Sequence, residues 1–238
     1  MSGHDPRRAL VVRGGWEGHD PVGATNRFIP VLRDAGFVVD VVDDLAVYDD
    51  ADRIDRADLI VHCWSMGSLT DDQETNLVAA VRNGTVFAGW HGGIIGTNVS
   101  NPAYLRMVGG RFLFHPQGFH DYTVVVDPAP VEDGEITAGL EDFTVHTEQY
   151  WVLSDSHSTV LATSVFEPAT DSEWAEPVTM PVTWTRRWGA GRVFVCTLGH
   201  QVTDFDVPET AAVISRGLLW AARGAQAASG GDQRAMRL

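Results

Sequence analysis

The chain has 238 residues, 44% of them hydrophobic, enough to bury a sizeable core. Its formal net charge of −15 opposes binding to nucleic acid and to anionic membranes. All 17 basic residues are arginines, which excludes lysine Schiff bases, pyridoxal phosphate chemistry and a P-loop.

The start, Met1 to Arg8, is polar, with no apolar stretch long enough for a signal sequence, and no apolar run is long enough to span a bilayer, so a cytoplasmic location is expected. Cys63 and Cys196 sit inside apolar runs and read as two buried thiols.

In chain order, Ala9 to Arg13 reads as a buried parallel strand ending at Gly14-Gly15. Thr25 to Ala35 has the apolar spacing of a helix, stopped by Gly36. Phe37 to Val42 and Asp58 to Cys63 are the next strands, the latter followed by a loop from Trp64 to Leu69. Thr70 and Gln73 form a capping-box signal for a helix that runs to Arg82 and ends at Asn83-Gly84. Thr85 to Ala88 is a fourth strand, and the alternation predicts a parallel sheet with helices on both faces.

Further on, Asp121 to Val126 and Thr159 to Phe166 read as strands. Pro177 to Arg187 and Arg192 to Thr197 read as a hairpin around Gly189-Ala190-Gly191. A closing helix is expected from Pro208 to Ala222, and the small, polar residues 224–238 are expected to be a disordered tail beyond a single domain over 1–223.

Histidines gather where strands end. Gly89-Trp90-His91-Gly92-Gly93 follows a strand directly and has the form of a tight strand-to-helix elbow, with His91 at the position a nucleophile would hold, its side chain exposed. His19 follows the first strand and His200 the last. Ligands of open α/β sheets bind beyond the carboxyl ends of the strands, so these three are expected to converge. Glu148 lies among aromatics in Thr147-Glu148-Gln149-Tyr150-Trp151, where desolvation suits a general acid or base. His115 could join the site, whereas His120 reads as structural. Trp16, Trp64, Trp90 and Trp151 lie in or beside these loops, where aromatic faces suit a sugar ring, while Trp184 and Trp220 read as core.

These segments, in this order, resemble the ThuA-like family. They are Gly18-His19-Asp20, Gly89 to Gly93, Gly109-Gly110-Arg111-Phe112 with His115-Pro116, Thr147 to Tyr150, Pro181 to Trp184, and Gly191 to Phe194 leading to Leu198-Gly199-His200. The resemblance implies an open parallel-sheet three-layer sandwich, flavodoxin-like and similar to class I glutamine amidotransferases. Those relatives carry a cysteine at the elbow where this chain has His91, so no glutaminase is expected. Where the family usually reads Asp-Glu-Trp-Tyr, this chain reads Thr-Glu-Gln-Tyr; Glu148 matches and its neighbours differ.

The resemblance also implies sugar catabolism, with a small-molecule keto-sugar or disaccharide derivative as substrate. Three activities remain open: an isomerase, lyase or hydratase that removes a proton beside a ketone, a non-catalytic carbohydrate-binding module, and a metal-dependent hydrolase. The catalytic candidates are His19, His91, Glu148 and His200; those for substrate binding are Trp16, Trp64, Trp90, His115, Tyr150 and Trp151. A divalent zinc or manganese ion on His19, His91 and His200 is expected to leave Glu148 outside the metal shell as base. A homo-oligomer stays open.

Overall fold

The computed structural model describes residues 6–229, apart from 117, 128–132 and 171, with side chains through Ala222. A nine-stranded sheet divides it, in the order β2-β1-β3-β4-β11-β10-β9-β6-β7. The strands are β1 (Arg8–Gly15), β2 (Val38–Val42), β3 (Leu59–Ser65), β4 (Val86–Trp90), β6 (His120–Val126), β7 (Phe143–Thr147), β9 (Thr159–Phe166), β10 (Val178–Trp188) and β11 (Gly191–Cys196). The pairs from β2 through β11 are parallel; those from β11 through β7 are antiparallel. β5 (Gly110–Phe114) and β8 (Trp151–Ser154) form a separate antiparallel pair.

The parallel half has the doubly wound order in which chain direction across the sheet reverses at β1. Its strands are nearly continuous apolar runs because both faces are covered. One face packs Phe28, Leu32, Trp90, Phe194 and Leu218 under α1 (Pro21–Asp34) and α6 (Pro208–Ser229). The other packs Leu10, Ile60, Leu77, Phe87 and Val195 with α3 (Asp71–Asn83) and α5 (Pro102–Val108). Two short helices, α2 (Ala51–Asp55) and α4 (Gly92–Ile95), complete the set.

Most elements lie where the sequence puts them, with informative shifts. α1 begins earlier than Thr25 because the Asp20 carboxylate accepts from Gly23 N–H at 2.9 Å and Pro21 opens the first turn. β3 continues through Trp64 and β4 through Trp90, so those tryptophans belong to strands rather than loops. α6 runs on through Ser229, beyond the expected end at Ala222; the rest of the expected tail, 230–238, lies outside the described residues. The Thr70 capping box forms with both of its hydrogen bonds. Both cysteines are buried and free. Among the described residues, no helix is long and apolar enough to cross a membrane.

Candidate functional site

His91 is delivered by β4 and leads straight into α4. Its backbone sits at φ 48°, ψ −147°, a left-handed conformation that costs a residue with a Cβ of the order of 1–3 kcal/mol. The strain is held by backbone bonds: His91 N–H donates to Cys196 O at 2.7 Å, and His91 O accepts from Ile94 and Ile95. The elbow glycines serve close approach rather than an unusual φ. A Cβ on Gly92 would collide with His19 Cε1, and one on Gly93 would meet the Cys63 backbone at 2.9 Å. The His91 side chain is buried, 2% exposed, which corrects the expectation of an exposed residue: rings from neighbouring loops close over it.

Three histidines and one glutamate meet here. His19 leaves β1, His91 leaves β4, His200 follows β11, and Glu148 stands between β7 and β8. One donor atom from each lies within 4.8 Å of all the others. His91 Nε2 is 3.2 Å from His200 Nδ1 and 3.4 Å from Glu148 Oε2, and His200 Nδ1 is 3.0 Å from Glu148 Oε2. Glu148 therefore lies in one cluster with the three histidines.

Hydrogen bonds behind the rings orient them. His91 Nδ1 donates to Thr197 O at 2.8 Å; since a carbonyl only accepts, the lone pair of the neutral ring is at Nε2, facing the cluster. His19 Nδ1 lies 2.6 Å from Ser65 Oγ, which turns its other nitrogen inward. Asp204 Oδ2 accepts from His200 N–H at 2.9 Å and from Thr147 Oγ1 at 2.7 Å, joining the histidine loop to the residue before Glu148.

Burial sets the charges. It pulls His19 down to about 3, with His91 and His200 adding repulsion, and it lowers His91 as well. Burial disfavours charge on Glu148 too, but contacts with His200 and His91 outweigh it and hold the carboxyl well below its usual range. Three imidazoles and one carboxylate thus gather with ring nitrogens and carboxylate oxygens about 3 Å apart, a donor set of the kind that holds a divalent cation. Bond lengths of about 2.0–2.2 Å to a central ion match donor separations of this size.

Around the cluster, Tyr150 OH donates to His91 Nε2 at 2.7 Å and stacks on that ring, and burial keeps the phenol protonated. His115 Nε2 is 3.4 Å from Glu148 Oε1. Trp16, 44% exposed, stands edge-on to His19 with ring centroids 4.7 Å apart. Phe119 covers His200 at 5.0 Å.

The other tryptophans lie elsewhere. Trp90, expected to line the pocket, is 1% exposed and packs against Phe28 and Phe205 on the α1/α6 face; once β4 is extended, alternation puts it there with Val86 and Ala88. Trp64 packs over Gly14 and Gly67, which have no Cβ to obstruct it. Trp151 turns away from the cluster to contact Phe166 and Trp174. His120 hydrogen-bonds Gln149 at 3.1 Å, in line with its structural reading.

Sequence reasoning missed Ser65, the Thr197 carbonyl and Asp204. Only Asp204 left a trace, as an acidic residue shortly after His200. The thiols offer no nucleophile: burial pushes Cys63 up to about 12 and Cys196 up to about 11.

The ThuA family model, described as trehalose utilisation, matches residues 8–221. The chain belongs to the ThuA family. A ThuA-like protein fold recurs in a Bacteroides uniformis protein described as ThuA-like, at 18% identity and TM-score 0.73, covering 93% of this chain and 94% of that one. A second protein so described, from Parabacteroides merdae, has 16% identity and TM-score 0.71, with 92% and 91% covered. A Salmonella typhimurium protein, called cytoplasmic, gives 15% identity and TM-score 0.64, with 90% and 99% covered. No curated protein matches the sequence. Family membership supports a role in sugar catabolism, and the neighbours agree with the flavodoxin-like, class I glutamine amidotransferase-like architecture.

Proposed function

We propose that this ThuA protein is a metal-dependent enzyme that removes a proton beside the ketone of an oxidised sugar. The observation that carries the reading is the meeting of His19, His91, His200 and Glu148 at coordination-shell spacing. Four protein donors close a tetrahedral zinc shell but leave two positions of an octahedral one open, which favours an ion of manganese type. Such an ion supplies Lewis-acid polarisation of the ketone.

The chain's own groups then divide the proton work. His115 Nδ1 donates to Pro116 O, so the lone pair of the neutral ring is at Nε2, beside Glu148 Oε1. His115 is half-buried and reachable, and it serves as the base, with its Nε2 3.4 Å from Glu148 Oε1. Tyr150 carries a proton that burial makes hard to lose; with an ion on His91 Nε2 that O–H, which otherwise donates to this nitrogen, would be freed to donate to the oxygen of the substrate. Trp16 and Phe119 shield the cluster from water. Isomerisation and elimination both begin with this proton transfer, and hydration ends with its reverse.

The test is hydrogen exchange next to the carbonyl of a 3-keto-glucoside in heavy water, with protein reloaded with Mn²⁺. His115→Ala is expected to slow exchange by about 100-fold or more while metal content holds. Glu148→Gln is expected to lose both exchange and metal. Metal-loaded protein that exchanges no proton, or that releases ammonia from glutamine, rejects the reading.

A further inference from the structure

A second cleft, about 1,100 Å³ in volume, lies away from the histidine cluster. The segment 148–151 separates the two. Glu148 and Tyr150 turn toward His91, whereas Gln149 and Trp151 line the cleft, as alternation in an extended chain requires. The cleft also rests on β6 and β9, and the connection from β9 to β10 covers it with Trp174.

Its walls have a definite chemistry. Trp151, Trp174 and Phe166 form one aromatic side. Asp121, Glu167 and Glu173 contribute carboxylates, and no arginine lies among the described lining residues of a chain without lysine. Asp121 is held by His146 at 2.7 Å. Ionised carboxylates only accept hydrogen bonds, so they suit hydroxyl donors and repel phosphate or carboxylate groups.

Ring centroids are 5.1 Å apart for Trp151–Trp174, 5.2 Å for Trp151–Phe166 and 6.0 Å for Phe166–Trp174, so the three rings pack against one another as one apolar wall. Such a wall suits the apolar face of a pyranose whose hydroxyls reach the carboxylates. A cleft of about 1,100 Å³ is far larger than a cage closed around one ammonium group, which favours the polyhydroxylated ligand. The volume, just above the roughly 300–1,000 Å³ typical of small-molecule pockets, accommodates more than one sugar ring.

The geometry points to a binding site for an uncharged di- or oligosaccharide in this cleft, separate from the histidine cluster and independent of its metal. It goes beyond the metal-centred reading and does not rest on it.

Calorimetric titration of the full chain with trehalose and with cellobiose, each with and without prior chelation of metal, tests the site. Binding in the millimolar range or tighter, unchanged by chelation, is expected for at least one. Trp174→Ala is expected to weaken it by about tenfold or more, and Glu148→Gln to leave it within about twofold. Glu173→Gln, an exposed change that keeps the fold, is expected to weaken it severalfold, so the proposal stands even if Trp174→Ala proves unstable. Glucose 6-phosphate and glucuronate are expected to bind at least about tenfold more weakly. The proposal is overturned if neither disaccharide binds, if Glu148→Gln abolishes binding while both cleft variants leave it intact, or if choline or the anionic sugars bind more tightly than the disaccharides.

Discussion

His19 shows how a functional side chain depends on a residue with no side chain. Its ring lies where the Cβ of Gly92 would be, so Gly92→Ala must push the ring aside. The displaced atom is the end of a flexible side chain, so the fold gives way cheaply while the donor position does not. Gly92→Ala is expected to lower the melting temperature by only a few degrees but to weaken Mn²⁺ binding by roughly 10–100-fold, the effect of misorienting a ligand. Titration of chelator-stripped protein with Mn²⁺ measures the affinity. Retained affinity with a large loss of stability would show instead that Gly92 serves packing alone. The histidine-glycine pair was legible as an elbow, but the reason for its second glycine was not, because His19 lies far away in sequence and only folding brings its ring there.

Between elements, Asp204 ties the end of β7 to the loop after β11. It accepts from Thr147, His200 and Gln201, two of these donors being backbone N–H groups. Asp204→Ala strands the hydroxyl of buried Thr147 and the His200 amide, and a cost of about 1–3 kcal/mol is expected. Asp204→Asn keeps one accepting oxygen and is expected to restore most of it. Urea denaturation of the two variants checks the order; equal losses would mean that charge, not acceptance, holds the loop. The elements this residue joins differed in how openly the sequence showed them. β11 has Val193-Phe194-Val195 and a glycine turn before it, whereas β7 and β8 are short and β7 is polar on one face. Local pattern marks the first; pairing with distant β6 and β5 makes the others.

Across the whole molecule, burial of neutral histidines makes acid destabilising. His62, wholly buried in β3 and bonded to Tyr48 OH at 2.8 Å, is lowered to about 3 by desolvation. Its unfolded value is near 6.5, so between these limits the unfolded chain binds the proton and the folded chain does not. Stability is complete above about pH 6.5 and falls as pH drops toward 3, by about 2 kcal/mol at pH 5 for this group. His19 acts in the same direction. His62→Asn keeps a partner for Tyr48 and is expected to lose less stability than the parent between pH 7 and pH 5, though it starts lower. Urea midpoints at the two pH values decide it; parallel losses would place the acid sensitivity elsewhere.

What the sequence by itself determined was local and periodic: buried strands, a capped helix, glycine turns, and histidines placed just past strand ends. Those features follow from backbone geometry and from the burial of apolar side chains, both set within a dozen residues. The general rule for open sheets then pointed to the edge where His19, His91 and His200 cluster. Only the tertiary structure decided which atoms meet there. It brought Glu148 against His200, turned Tyr150 onto His91, sent Trp90 into the core, and faced Trp151 into a separate cleft. Each of those outcomes depends on where a strand stops, since one residue more or less reverses the face on which a side chain emerges. That end point is fixed by pairing with strands distant in the chain, which no local pattern records.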